Sequence, residues 1–218
     1  QGSDRVTGDR AEFDAVSDTA RLVGNVVMTS GPERRANSDR ADIDQRSDTV
    51  LLSGHVRVQQ GRNELKGRRL WVDRKTGRAQ LTSPAEPGVG AGRIAARLYQ
   101  SDGRAPAGGK RAAAGAADQP AEAAPGLGFA TFKTDPNAPI DVEASTLDVN
   151  DAAKAAVFRG DVRVVQGDFK LATAELTAFY TGQMGLDLTP GQSPQTQPKQ
   201  PAQLNRIEAR KGVAVTSK

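Results

Sequence analysis

The chain has 218 residues and a formal net charge of +4, with 37% hydrophobic and only 4% aromatic residues. This composition is lean for a thick globular core and indicates a thin, extended sheet structure. The absence of cysteine excludes disulfides and thiolate metal sites. The basic surplus fits an anionic partner, but aromatic and basic residues are not interleaved as base stacking requires, so nucleic acid is not predicted as a partner.

The first two repeats each contain a strand with a glycine near its middle. Apolar or small residues occupy every second position in residues 20–28 around Gly24, and again in residues 50–58 around Gly54. An alternation of period two predicts a strand that buries one face. The glycine stands at the one vacant inward position of each predicted strand.

A second apolar element precedes each of these strands. The doublet Ala41 and Ile43 lies upstream of Gly54, and a lone small residue, Ala36, stands five positions before Ala41. Because five is odd, a straight strand would put Ala36 on the opposite face, so a turn or bulge is predicted in between. The unit recurs after 30 residues, from Phe13 to Ile43, which is typical of stacked β units.

The third repeat leads into a region without regular alternation. Two short strands near Leu70 and Leu81 flank a predicted turn. Residues 88–99 fit either a last strand or a short helix. Residues 101–128 are rich in Ala, Gly and Pro, and they are predicted to form a disordered linker.

The repeats resume from Phe129. Alternating apolar residues surround Gly160, and a weaker copy ends at Val215 with Lys211 in the position of the glycine. Between these copies, residues 181–203 are rich in Pro and Gln and are predicted to form a surface loop.

The spacing of the repeats predicts a circular permutation. Steps of seven or eight separate the last apolar position of one repeat from the first of the next, as from Met28 to Ala36. Joining the chain ends would give a step of nine, from Val215 to Val6, which fits this series. We therefore predict that the two ends lie close together and that residues 101–128 bridge the original ends. The alternative is a fusion of two partial arrays.

No set of residues predicts catalysis or a bound metal. The single histidine, His55, lies on the outward phase, which argues against a Ser-His triad or a histidine-rich metal site. Paired carboxylates such as Asp42 and Asp44 alternate with an inward residue and face solvent. Trp71 lies on the phase opposite its apolar neighbours and is predicted to cover an outer face, an edge or a partner. The sequence therefore predicts neither an enzyme nor a cofactor.

Five segments together resemble the OstA/LptA family of periplasmic lipopolysaccharide-transport proteins of Gram-negative bacteria, most closely its alphaproteobacterial branch. They are FKTDPNAPIDVEASTLDV, FRGDVRVVQGDFKLATAELTAFY, RIEARKGVAVTSK, GDRAEFDAVSDTARLVGNVVMTSG and GRNELKGRRLWVDRKTGRAQL. One Gly-x-Val-x-Val strand is common, whereas a series of them in register is specific. In the family order, residues 129–218 would form the N-terminal half and residues 1–100 the C-terminal half of one continuous domain, which agrees with a permutation.

The resemblance implies a mainly β fold, an open twisted half-jelly-roll of antiparallel strands in two facing sheets with an apolar groove between them. Inward alanines such as Ala36 and Ala41 would keep the groove open for acyl chains, each buried methylene contributing about 0.8 kcal/mol. The predicted lipid-binding residues are those of the inward apolar face: Phe13, Leu22, Val26, Met28, Ile43, Leu52, Val56, Val58, Leu70, Val149, Phe158, Val162, Val164, Leu176, Val213 and Val215.

The resemblance also implies a function and partners. The protein would be a periplasmic, non-catalytic bridge that binds lipopolysaccharide through its lipid A and carries it from the inner to the outer membrane. Edge strands would pair with the periplasmic domain of the inner-membrane transporter complex, with the outer-membrane translocon and, end to end, with further copies of the chain. Four basic residues near strand ends are candidates for contacts with lipid phosphates, although a solvated surface is the favoured interpretation: Arg34, Arg35, Arg68 and Arg69.

The alternative function is a strand-stacked structural scaffold or filament with a filled core and no lipid ligand. A closed stack of strands would favour larger residues at the inward positions where this chain has alanines.

Overall fold

A computed structural model describes residues 5–31, 33–86, 88, 90–99, 138–182 and 203–216. These residues form fourteen strands and no helix, and the strands belong to one antiparallel sheet. The predicted class, mainly β with antiparallel strands, is confirmed. No helix in the described ranges is long and apolar enough to cross a membrane.

The strands are β1 (Arg5–Thr7), β2 (Arg10–Asp14), β3 (Thr19–Ser30), β4 (Arg34–Asp44), β5 (Thr49–Gln60), β6 (Asn63–Asp73), β7 (Arg78–Thr82), β8 (Ile94–Leu98), β9 (Ile140–Ala144), β10 (Thr146–Asn150), β11 (Ala155–Gln166), β12 (Phe169–Thr181), β13 (Gln203–Arg210) and β14 (Ala214–Thr216). Six of them (β3, β4, β5, β6, β11 and β12) are long. The eight short strands occur as four sets of two consecutive strands: β1 with β2, β7 with β8, β9 with β10, and β13 with β14. Each set lies end to end and occupies the same position in the sheet as one long strand. The described sheet therefore has ten strand positions, and neighbouring positions run antiparallel.

Aligned bulges bend the sheet along one line, which we call the kink line. On β3, Gly24 and Asn25 have φ angles of 79° and 46°, and these two residues lie opposite the single residue Asp39 of β4. Equivalent pairs with positive φ recur on alternate strand positions: Gly54 and His55, Gly160 and Asp161, and Lys211 and Gly212. A bulge with two residues against one bends and twists its strand, so the aligned bulges divide the sheet into two leaves.

The leaves are defined by the short strands. Leaf A contains β2, β7, β10 and β13, and leaf B contains β1, β8, β9 and β14, each with the adjoining part of every long strand. The turn or bulge predicted between Ala36 and Ala41 is confirmed at Asp39, where the register shifts. The strand predicted around Gly54 is confirmed as β5, and the glycine lies in its bulge. In the weaker copy, Lys211 takes the first bulge position and Gly212 supplies the glycine at the second.

The two leaves enclose a shared apolar core. Leu52 in leaf A and Val56 in leaf B are 0% and 2% exposed, and one cluster of buried apolar residues extends through both leaves. Charged residues occupy the outer faces, where they form ion pairs such as Arg21 with Asp42, at 2.7 Å. Exposed pairs of this kind contribute little to stability, so the buried inward faces are the main source of stabilisation.

The strands lie in the sheet in chain order, which contradicts the predicted permutation. β1 and β2 form one edge of the described sheet, and β13 and β14 form the opposite edge. A permutation of adjoining ends requires these two edges to be neighbours, and instead β7 pairs with β10 and β8 with β9. The prediction that the first and last strands adjoin is therefore wrong for the described strands.

The structure assigns the ambiguous segment but describes little of the two predicted loops. Residues 88–99, which fitted a strand or a helix, contain the strand β8. The predicted linker 101–128 lies outside the described residues, as does most of the predicted loop 181–203, where Thr181 ends β12 and Gln203 begins β13.

Turns of one design form the lip of leaf A, the margin farthest from the kink line. A side-chain oxygen accepts a hydrogen bond from the backbone N–H three residues further on: Asp14 from Ser17, Asp44 from Ser47, Asp73 from Thr76, and Asn150 from Ala153. The last turn residue is left-handed in each case, and its carbonyl accepts an N–H from the next strand position: Asp18 from Gln45, Asp48 from Arg74, Gly77 from Asp151, and Lys154 from Tyr180. The recurring acids thus order the turns.

We expect Gly54→Ala to destabilise the protein more than Gly61→Ala. Both glycines have positive φ, which costs alanine about 1–2 kcal/mol, but a Cβ on Gly54 would lie 2.8 Å from the Cβ of Asp39, whereas Gly61 is open. Urea denaturation should show a loss for Gly54→Ala that exceeds the loss for Gly61→Ala by about 1 kcal/mol or more. Equal losses would show that the close approach at the bulge is unimportant.

The turn aspartates should make the protein sensitive to acid. Hydrogen bonds from Ser17, Ser47 and Thr76 lower the pKa of the carboxyl groups of Asp14, Asp44 and Asp73. A lowered folded-state pKa gives stabilisation that is present above about pH 4 and is lost as the pH falls through the folded-state value.

The fourth turn shows which substitution preserves the turn, because Asn150 accepts the same hydrogen bond and has no group that titrates. Asparagine is therefore the substitution chosen for the three aspartates. The triple variant Asp14→Asn, Asp44→Asn and Asp73→Asn should melt near the wild-type temperature at pH 7 and lose less stability between pH 5 and pH 2.5. Thermal melts followed by circular dichroism test this; parallel declines in the two proteins would contradict it.

Candidate functional site

An apolar cavity of about 60 Å³ lies between the two leaves, at the opening that we call the mouth, between their margins farthest from the kink line. Leaf B and the residue after it contribute Val58, Gln60, Asn63, Leu65, Leu98, Tyr99 and Ile140. Leaf A contributes Leu147, Ala156, Phe158, Ala178, Tyr180 and Leu204. Apolar walls on both sides make this cavity suited to a flexible hydrocarbon group.

Polar contacts hold the two tyrosines at the rim of the cavity. The Tyr180 hydroxyl donates to Asp151 Oδ1 at 3.1 Å, and burial, together with this carboxylate, raises the pKa of Tyr180 well above its ordinary value. The backbone N–H of Tyr99 donates to Asn63 Oδ1 at 2.8 Å, and the guanidinium of Arg62 lies 4.0 Å from the Tyr99 ring centroid. Tyr180 therefore stays neutral, and both rings present apolar surface beside polar groups.

Most of the predicted lipid-binding residues are buried inside the bent sheet. Twelve are at most 6% exposed: Leu22, Val26, Met28, Leu52, Val56, Val58, Leu70, Val149, Phe158, Val162, Val164 and Leu176. Ile43 is partly buried against the same core. Two of the sixteen, Val58 and Phe158, line the cavity.

The remaining three predicted residues are exposed because they lie at the edges of the sheet. Phe13 on β2 is 78% exposed, while Val213 and Val215 next to and within β14 are 49% and 41% exposed. Phe13 pairs with Ala20 and Val215 pairs with Leu171, so both keep the inward phase of a buried neighbour. They lack only a further strand to cover them.

The groove expected along the whole interior is filled at its centre. Ala36 and Ala41 are 1% and 0% exposed within the common core, although they were expected to leave space. Larger inward side chains, such as Met28, occupy the volume beside them, in keeping with the dense packing of protein interiors. A filled centre is the feature expected of the scaffold alternative, and the cavity at the mouth is what distinguishes the chain from a closed scaffold.

Several cavity residues were missed in the predicted set: Leu65, Leu98, Ile140, Leu147, Ala156, Ala178, Leu204 and the two tyrosines. Many of them lie at strand ends, where turns interrupt the alternation. Proximity to a turn on the inward phase is the signal that could have identified them.

The other singled-out residues lie away from the cavity. His55 Nδ1 is 2.7 Å from Asp39 Oδ2 on the kink line, and both side chains are exposed. Trp71 is 39% exposed beside Leu51 on the outer face of leaf A, as predicted. Within the described ranges, no group of three or more His, Cys, Asp or Glu residues could hold a metal ion.

The fold and the cavity define a class of protein: an open β sheet bent on itself, with an apolar interior that is accessible at one margin. A family model described as LptA/(LptD N-terminal domain) LPS transport protein matches residues 35–86 and 141–218. These segments make up more than half of the chain, so the chain belongs to this family of lipopolysaccharide transport proteins. The predicted family is confirmed.

Other comparisons add little to this assignment. No match was found among curated protein sequences. The chain is similar to the crystal structure of LptH from Pseudomonas aeruginosa, described as the LptA homologous periplasmic component of the conserved lipopolysaccharide transport device. That similarity covers 100% of this chain and 96% of LptH at 10% identity, with a TM-score of 0.32. These values are too low to support any further conclusion.

Proposed function

We propose that the protein is a periplasmic carrier that binds lipopolysaccharide between its leaves and passes it from the inner towards the outer membrane. The observation that carries the proposal is the apolar cavity at the mouth, in a chain that belongs to a lipopolysaccharide transport family. Lipid A acyl chains would enter between Phe158 and Val58, while the sugars stay in water. Each methylene buried there contributes about 0.8 kcal/mol.

The bent sheet suggests how a cavity of about 60 Å³ accommodates a longer chain. The leaves are joined along the kink line by continuous strands, and their backbone hydrogen bonds lie within each leaf. A small rotation about the kink line would widen the mouth without breaking these bonds. The energy that moves the lipid would come from a transporter elsewhere, since the role proposed for this chain is binding.

The two open edges support a role as one link in a series. β1 and β2 at one edge, and β13 and β14 at the other, present backbone groups that an added strand can pair with. The partners proposed at these edges are the periplasmic domain of the inner-membrane transporter complex, the outer-membrane translocon and a second copy of this chain. Pairing would cover the inward side chains of Phe13 and Val215.

The bulges fix the register that a second copy would adopt. If Asp9 of one copy faces the bulge at Lys211 and Gly212 of the next, as Asp39 faces Gly54 and His55 within the chain, then Glu12 lies opposite Glu208. The same register sets Arg10 opposite Arg210. Like charges that face each other directly weaken pairing, so self-association should be weaker than pairing with a partner of complementary charge.

Photo-crosslinking at Leu98 tests the lipid site. A benzophenone side chain at Leu98, on the cavity wall, should crosslink to added lipopolysaccharide, whereas the same group at the neighbouring outward position Arg97 should not. Adducts are detected by immunoblot and mass spectrometry. No adduct at Leu98 in a folded variant, or equal adducts at both positions, would favour the scaffold alternative.

Engineered cysteines test the edge register in a chain that has none of its own. Oxidation of the Glu12→Cys, Glu208→Cys variant should give a ladder of covalent oligomers, because directly opposed Cα atoms lie within disulfide range, about 4.4–6.8 Å. The matched variant Glu12→Cys, Arg206→Cys shifts one partner by two residues and should crosslink much less on non-reducing gels. Similar ladders from both variants would contradict the register.

A further inference from the structure

Four polar residues on the inward phase line the lip of leaf B, the margin of that leaf at the mouth. Ser30, Arg34, Gln60 and Asn63 are successive cross-strand partners on β3, β4, β5 and β6. One step deeper, the same strands carry Met28, Ala36, Val58 and Leu65, which belong to or pack against the core. Gln60 and Asn63 also line the cavity, so this polar lip is continuous with the apolar site.

Arg34 is the unpaired cation of this lip. It is partly buried, and its side chain has no ion pair or hydrogen bond to any described residue, whereas many arginines of the described sheet are paired with carboxylates. A guanidinium on the inward phase beside an apolar cavity loses hydration, and no carboxylate compensates for that loss.

The other three arginines singled out in the sequence differ from Arg34. The Nε of Arg35 donates to Asn37 Oδ1 on the outer face, at 3.2 Å. Arg68 Nη1 donates to the carbonyls of Pro84 and Gly90 at 2.8 and 2.7 Å, which holds the connection between β7 and β8. Arg69 is exposed on the outward phase. Of the four, only Arg34 is free to bind a ligand at the mouth.

The lip of leaf A also carries a partly buried guanidinium, but that group is already paired. Arg74, directly after β6, is 13% exposed and forms an ion pair with Asp48. Its Nε is buried and has no hydrogen-bond acceptor among the described residues. A buried atom cannot be reached by a ligand at the mouth, so Arg74 takes no part in the proposed site.

We propose that the mouth near β4–β6 binds a phosphate group of the lipid, with Arg34 as the principal ligand and with Gln60 and Asn63 as neighbouring amide donors. Arginine binds phosphate through two parallel N–H donors, which fixes both distance and orientation. This assignment rests on the proposed function, and it places the phosphate directly above the cavity that takes the acyl chain.

The test compares Arg34→Gln with Arg35→Gln, neighbouring charge-removing changes on opposite faces of one strand. Titration calorimetry would use lipopolysaccharide, enzymatically dephosphorylated lipopolysaccharide and inorganic phosphate as separate probes. Arg34→Gln should weaken binding of lipopolysaccharide by about tenfold or more and leave binding of the dephosphorylated form nearly unchanged. Arg35→Gln should match the wild type with both lipids. Arg34→Lys should restore only part of the affinity, because lysine lacks the two parallel N–H donors of arginine.

The failures of the two proposals are distinguishable. Loss of binding to both lipids in Arg34→Gln, or equal losses in Arg34→Gln and Arg35→Gln, would overturn the phosphate assignment while lipid binding by the wild type stands. Inorganic phosphate that binds as tightly as the lipid would show a free-phosphate site and would also overturn it. A wild-type protein that binds neither lipid would refute the proposed function itself. Thermal melts confirm that each variant is folded.

Discussion

The structure depends on the aligned left-handed bulges that bend the sheet. Without them, the ten strand positions would form a single layer with one apolar face and nothing to cover it. Each bulge places two residues opposite one residue of the neighbouring strand, and Leu52 and Val56 point inwards on the two sides of the bend. A residue without a Cβ is needed where a neighbouring side chain, such as that of Asp39 at Gly54, crosses the line. The two leaves of the sheet thereby cover each other's apolar faces.

Much of the fold could be predicted from the alternation of apolar residues, but the position of the bend could not. From Leu52 to Val56 the spacing is four, which is even, so a two-residue bulge looks the same as an uninterrupted strand. On the neighbouring strand the odd step from Ala36 to Ala41 does reveal the bend. The resemblance to the family came from segments carrying these strands, and the family model covers much of the same residues.

The predicted permutation failed for a physical reason that bears on the edges. The spacing from Val215 to Val6 matches the steps between repeats because both lie on edge strands of the described sheet, which follow the same repeat as the strands inside it. The same spacing between the last and first strands is expected if the edges of two separate molecules pair. Spacing alone cannot distinguish one chain that closes on itself from two that follow one another, whereas the strand order can.

The site was less predictable than the fold, because free space is a property of three dimensions. Whether an inward alanine leaves a gap depends on what faces it from the other leaf, and the angle between the leaves decides that. Ala36 and Ala41 are tightly enclosed, and the space that remains lies at strand ends near Leu98 and Tyr180. Arg34 and Arg35 differ in the face of β4 on which they lie. The inward or outward direction of each side chain can be assigned only when the positions of the turns and bulges are known.

The two different edges of the described sheet give the molecule a direction. Because neighbouring positions alternate, the first and the tenth described positions run opposite ways, so β14 of one molecule would meet β1 of a next one as an antiparallel neighbour without a break in the pattern. A row built in this way has a head that differs from its tail. An anchored protein that offers a single complementary edge would therefore cap one end only, and it would orient every molecule that follows with respect to the two membranes.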